Sequence, residues 1–138
     1  MQNTMVTTEE SIKKWFDSYI ETFLDQIRNR PEDISQLLNF FNVTFSFTKD
    51  SNYIATHSHE EAHALLKAQL DNFNNHNHKD TFESNRVVTV FNPRAALINV
   101  TWTRINSNDE VYEKEPTSYW VQNIEGQWKI SSIAIHNA

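Results

Sequence analysis

The chain has no cysteine, one glycine and three prolines among its 138 residues. Without cysteine there is no disulfide, no thiolate metal site and no cysteine nucleophile. Positive charge is also scarce. Lys and Arg number 12 against 18 Asp and Glu, a formal net charge of −6, and no basic stripe is present. Counterion release therefore offers little affinity, and no nucleic-acid partner is expected. No apolar run approaches the roughly 20 residues that cross a bilayer, so no membrane partner is expected. The N-terminal "MQNTMVTTEES" has no basic segment leading into an apolar one, as a secretory signal would. A cytoplasmic location is the expectation. No linker, low-complexity tract or repeat divides the chain, and its length suits a single domain over 1–138. Residues 1–6 are expected to form a flexible N-terminus.

What the chain does have is aromatic bulk. Nine Phe, four Trp and four Tyr can build a core. Ile12, Trp15, Phe16, Tyr19, Phe23 and Ile27 recur at helical spacing and predict a first helix over about 7–29, with Thr7 and Glu10 as a capping box. Pro31 suits the start of a second helix with Ile34, Leu37, Leu38 and Phe41 as its apolar face. "VTFSFT", residues 43–48, alternates as a strand, and "NYIATHS" is a second extended piece. Leu65, Leu66, Leu70 and Phe73 mark a third helix, which runs out in the polar "NFNNHNHKD", where His76 and His78 read as solvated. Beyond Phe82 the pattern is all strand. Four segments are separated by Asn92–Pro93, "NSNDE" and Glu125–Gly126, the spacing of an antiparallel meander. Helices early and a sheet late give an α+β layer fold.

The stretch "HSHEEAH", residues 57–63, spells H-E-x-x-H through His59, Glu60 and His63, the pattern of a zinc-protease helix. A simpler account covers the same residues. Ser58 and Glu61 form S-x-x-E, a capping box, and acidic residues suit the first turn of a helix. No third histidine follows at protease spacing. No metal site and no cofactor is expected.

The element order, the "THSHEEAHALL" start of the third helix and the hairpin "YWVQNIEGQWKISSIAIH" together resemble the nuclear transport factor 2-like superfamily, in particular its SnoaL-like members with a cystatin-like fold. The likeness spans about Thr7 to His136. It implies three helices packed on a strongly curved, mainly antiparallel sheet, forming a cone with a pocket. The family's ketosteroid-isomerase branch implies a Tyr on the first helix, a carboxylate base near the first strand and a protonated acid on a late strand. Tyr19 matches the first. The other two positions fall near Phe47 or Thr48 and near Ser118, where there is no acid; Asp50 lies close to the base position but in a turn. An Arg held between two Asp, as in epoxide hydrolysis, finds Arg86 and Arg104 but no inward Asp.

The resulting expectation is a small-molecule site. Trp15, Tyr19, His57, Trp102, Arg104 and Tyr119 would bind a mostly apolar organic ligand, with His136 a further polar candidate. If the site is catalytic, His57 is the expected general base, because its unperturbed pKa lies near neutrality, and Tyr19 its companion. The other reading is a non-catalytic interaction module whose cone is filled by its own Phe side chains. In either case a homodimer through the outer face of the sheet is expected.

Overall fold

The computed structural model describes residues 4–29 and 32–136. Helix α1 spans Thr4–Asn29, and a four-residue helix α2 spans Ser35–Leu38. Strands β1 (Phe41–Lys49) and β2 (Asn52–Ala55) precede helix α3 (His59–Asn75). Four strands follow: β3 (His78–Asn92), β4 (Ala95–Asn106), β5 (Val111–Ile124) and β6 (Gln127–Ile135). They form one curved, unclosed six-stranded sheet in the order β2-β1-β6-β5-β4-β3. Every neighbouring pair is antiparallel except β1 with β6. No helix is long and apolar enough to cross a membrane among the described residues.

The apolar stripe on α1 does what its spacing predicts. Ile12, Phe16, Tyr19 and Ile27 are buried, and Trp15 and Phe23 are half-buried against them. The helix begins earlier than expected, so Thr7 lies inside it rather than at its cap. The proposed start at Pro31 falls outside the described residues. The second helix is shorter than its apolar pattern suggested. It ends at Leu38, and Phe41 opens β1 instead, in a β-prone run that reads Phe, Asn, Val, Thr, Phe.

On α3 the buried face is Ala62, Leu66, Leu70 and Phe73, at three- and four-residue spacing. Its start is capped as the sequence suggested. Ser58 Oγ accepts the Glu61 N–H at 3.1 Å. The Glu61 carboxylate then accepts the N–H of His57, one residue before the cap, at 2.7 Å. Two backbone donors at the helix start are thereby satisfied. The helix ends at Asn75 and β3 begins only three residues later, so "HNHKD" is not a linker. His78 is the first residue of that strand.

Alternation sets the inner face of the sheet. Ala96, Ile98, Val100, Trp102 and Arg104 of β4 are buried, and so are Glu115, Thr117, Tyr119 and Val121 of β5. The cross-strand register places Arg104 opposite Glu113, Trp102 opposite Glu115 and Ile98 opposite Tyr119. In β6 the register shifts where Trp120 pairs with Ser132 and Val121 with Ile130, leaving Ser131 as an extra residue. This bulge changes the parity of the strand, so Ile130 and Ile133 both point inward although they are three apart. At the β5–β6 turn Glu125 and Gly126 have φ of 53° and 86°. Two successive positive φ values are the requirement of a two-residue I′ hairpin, and glycine meets the second one without strain.

Ser58→Ala removes the cap and is expected to cost about 1 kcal/mol. In a thermal melt that corresponds to a fall of roughly 3–4 °C for a domain of this size.

Candidate functional site

Between α1, α3 and the inner face of the sheet lies a cavity of about 420 Å³. Its wall changes character along the strands. One part is aromatic. Tyr19 and Phe23 of α1, Phe73 of α3, Trp102 of β4 and Tyr119 of β5 all line it. The Tyr19 and Tyr119 rings meet edge to face at 5.9 Å, and Phe16 backs Tyr119 at 5.3 Å. The Trp102 indole N–H donates to the Tyr119 hydroxyl at 2.9 Å. Burial pushes the Tyr119 phenol up to about 12, against hydrogen bonds from Trp102 and Tyr19 that pull it down. Burial, reinforced by Tyr119, raises Tyr19 well above the ordinary value. Both phenols are therefore protonated near neutrality and act as hydrogen-bonding groups rather than bases.

The other part is ionic. Arg104 Nη1 lies 2.6 Å from Glu115 Oε1 and 2.8 Å from Glu113 Oε1. Lys49 Nζ, at the end of β1, lies 2.7 Å from Glu115 Oε2 and 3.6 Å from Glu113 Oε2. The Phe73 ring covers the guanidinium, with Cζ 4.9 Å from the ring centroid. Arg104 and Glu115 are buried, whereas the Lys49 and Glu113 side chains are 40% and 26% exposed and mark the open side. Burial alone would raise the Glu115 carboxyl, but Lys49 and Arg104 together hold it below its ordinary range. Lys49 is raised in turn, first by its hydrogen bond to Glu115.

Beside this network, outside the cavity wall, His78 Nδ1 is 2.8 Å from the Tyr112 hydroxyl and Nε2 is 3.1 Å from Thr81 Oγ1. Burial lowers the His78 pKa, and the positive charge of Arg104 adds to the effect. His76 stacks on Tyr112 at 5.0 Å, so neither histidine is simply solvated, contrary to the polar reading of this stretch. The hydrophilic segment conceals a strand because His78 finds polar partners in Tyr112 of β5 and in Thr81 farther along β3.

Of the residues singled out from sequence, Tyr19, Trp102, Arg104 and Tyr119 converge on the cavity. Trp15 and His57 do not. Trp15 packs on Phe40 at 6.0 Å and lines a separate groove with Trp128 and Lys129. His57 is exposed before α3, off the cavity wall, and its N–H is held by Glu61. A general base at His57 is therefore corrected by position: it cannot reach a ligand in this cavity while it faces solvent at the helix cap. His136 is exposed and lies 2.6 Å from Ser118 Oγ, which also donates to Asn99 on the outward parity of β5. Where a base was sought near the first strand, Phe47 stands on the wall, and Asp50 is exposed in the following turn. Arg86 pairs with Glu83 at 2.6 Å and Asp17 at 2.7 Å, tying β3 to α1. Among the described residues no three His, Asp or Glu side chains are grouped to hold a metal ion.

Three charged wall residues were not anticipated: Lys49, Glu113 and Glu115. The signal for the glutamates was present in "EKEPTSY", because strict alternation from Tyr119 places Thr117, Glu115 and Glu113 on its face. The epoxide-hydrolase pattern has Asp on both sides of its arginine, whereas the acids beside Arg104 are Glu on the adjacent strand. Lys49 comes from a parallel pairing that no local pattern encodes.

These features define a class: an α+β cone of three helices on a curved sheet, with a cavity in the concavity. The chain belongs to the family described as NTF2-like protein (DUF6841), whose profile matches residues 9–138. Solved structures agree on the fold. A protein of unknown function with a cystatin-like fold from Nostoc punctiforme is 19% identical, with a TM-score of 0.69 over 89% of this chain and 88% of that one. An NTF-2 like protein of unknown function from Shewanella oneidensis is 11% identical, with a TM-score of 0.70 over 94% and 98%. The association domain of C. elegans CaMKII is 11% identical, with a TM-score of 0.68 over 99% and 100%. No curated protein matched the chain.

Because the folded protein lowers the Glu115 pKa, the carboxylate contributes stability that is full above its unfolded value and is lost as pH falls through the folded one. Glu115→Gln is expected to cost on the order of 3 kcal/mol in urea unfolding at neutral pH, since it leaves two cations short of a partner. As pH falls through the lowered value of the folded carboxyl, the gap between the two proteins is expected to shrink.

Proposed function

We propose that this protein binds a small, mostly apolar organic molecule in the cone cavity. The observation that carries this reading is the cavity itself. At about 420 Å³ it falls in the size range of small-molecule sites, and its wall combines aromatic side chains with a few placed polar groups. A cone filled by its own phenylalanines would leave no such space. Tyr19, Trp102 and Tyr119 would take the apolar body of the ligand, and Arg104 with its partners would orient its polar end. We do not assign a reaction. The phenols on the wall are held protonated, Glu115 is committed to two cations, and no histidine lines the cavity among the described residues.

The neutral, environment-sensitive dye prodan tests this. Wild-type protein is expected to enhance and blue-shift its emission, and Ala68→Trp, which places an indole at an exposed wall position, is expected to abolish the effect without lowering the melting temperature. An equal signal from both proteins would locate the dye elsewhere and remove the reading.

A second feature favours self-association through the outer face of the sheet. Phe82, Val87 and Phe91 are 50%, 57% and 53% exposed there, and Phe91 packs on Trp120 at 5.6 Å. The outward residues of β4 between these strands are Leu97, Asn99, Thr101, Thr103 and Ile105, none of them charged. Exposed aromatics beside an uncharged central strand are typical of an interface core. The likeness to an association domain points the same way. Sedimentation at micromolar concentration is expected to give twice 16.2 kDa, and Phe91→Glu to give the single-chain mass. A monomeric wild type would exclude this use of the face.

A further inference from the structure

The ionic part of the cavity carries information about the ligand's charge. The charged residues on the wall, among the described residues, are Lys49, Arg104, Glu113 and Glu115. Two positive charges meet two negative ones, so the formal charge of the wall is zero. The four carboxylate oxygens all face a cation. Glu113 Oε1 and Glu115 Oε1 face Arg104 Nη1, and Glu113 Oε2 and Glu115 Oε2 face Lys49 Nζ. Each carboxylate oxygen is therefore already paired with a cation.

Among the charged groups and Tyr119, the unused capacity lies on the donor side. Arg104 makes both of its ion pairs through Nη1, and its buried Nε has no hydrogen-bond partner. The Lys49 ammonium has three N–H groups and two carboxylate partners. The Tyr119 oxygen accepts from Trp102, which leaves its own proton to donate. A ligand entering this wall meets spare donors on Lys49 and Tyr119, the neutral amides of Gln69 and Asn72, and a charge that is already balanced. An ion would shed its hydration and find no surplus opposite charge, which is unfavourable. An uncharged oxygen acceptor sheds less hydration and relieves unused donors.

We infer that the cavity takes an uncharged organic molecule bearing an acceptor oxygen, such as a ketone, ester or ether, and that Glu113 and Glu115 enforce this by cancelling the charge of Lys49 and Arg104. The inference rests on the cavity-binding reading and adds the ligand class to it. It makes Glu113 a specificity-determining residue. Without Glu113 the wall carries one net positive charge and should accept an anion. Without Lys49 it carries one net negative charge and should accept a cation.

Displacement of prodan by four probes on one naphthalene body tests this: 2-acetylnaphthalene, 2-naphthoate, 2-naphthylmethylammonium and 2-ethylnaphthalene. In wild-type protein 2-acetylnaphthalene is expected to displace the dye at a concentration at least about tenfold below the other three, a difference of about one hydrogen bond. In Glu113→Gln, 2-naphthoate is expected to gain about tenfold and 2-naphthylmethylammonium to lose. In Lys49→Gln, whose side chain is 40% exposed, the two ions are expected to move in the opposite directions. A general loosening of the fold would weaken all four probes together, so opposed shifts distinguish charge selection from damage. Naphthoate or the ammonium matching the ketone in wild type would overturn the inference, as would ionic probes unmoved by both variants, while the cavity reading would stand. Failure of prodan itself to bind would remove the cavity reading and the inference with it.

Discussion

The structure depends most on one buried cation. Arg104 sits on the inner face of β4 with 6% of its surface exposed, and a guanidinium cannot stay there alone. Its partners come from three directions. The β4–β5 register brings Glu113 directly opposite and Glu115 one inward position along. The Phe73 ring closes from α3, and Lys49 reaches over from β1 to share the same two carboxylates. The set thus links β1, β4 and β5 to helix α3 along the cavity wall. A well-packed apolar replacement for a buried ion network is often at least as stable as the network. Stability alone is therefore a weak reason for four ionisable groups on one wall, and the proposed selection of ligand charge would supply another.

The aromatic part of the wall complements this. Tyr19, Trp102 and Tyr119 form a connected set in which the hydroxyl of Tyr119 receives the indole proton. Their burial keeps the phenols protonated. The cavity therefore offers an apolar surface beside protonated phenols that can hydrogen-bond. The fold relatives share the cone at 11–19% identity, so the fold leaves the wall residues to be judged individually.

Much of the architecture was legible in the sequence because local signals agreed with it. The stripe on α1, the Ser58 cap and the turns at Asn92–Pro93 and Glu125–Gly126 each fix an element. The site was legible only in part, for geometric reasons. Trp15 and Tyr19 share a helical stripe, but α1 has 26 residues and is about 39 Å long, so one stripe serves both the cavity and the groove beside Trp128. His57 looked attractive for its pKa, yet its position precedes a cap and carries no face. Alternation tied Trp102 to Arg104 and Tyr119 to Val121 without saying which side is concave. That depends on where the helices pack and on the Ser131 bulge. Lys49 joins the site through a parallel pairing with β6, between segments more than eighty residues apart.

The most direct measurement is a two-dimensional ¹H–¹⁵N NMR titration of the protein with 2-acetylnaphthalene. The account predicts saturable shifts grouped on the cavity wall, at Phe23, Leu65, Gln69, Trp102 and Tyr119, with the Trp102 indole N–H among the largest. Shifts confined to the Trp15–Trp128 groove or to the outer sheet face, or no saturable shifts at all, would contradict it.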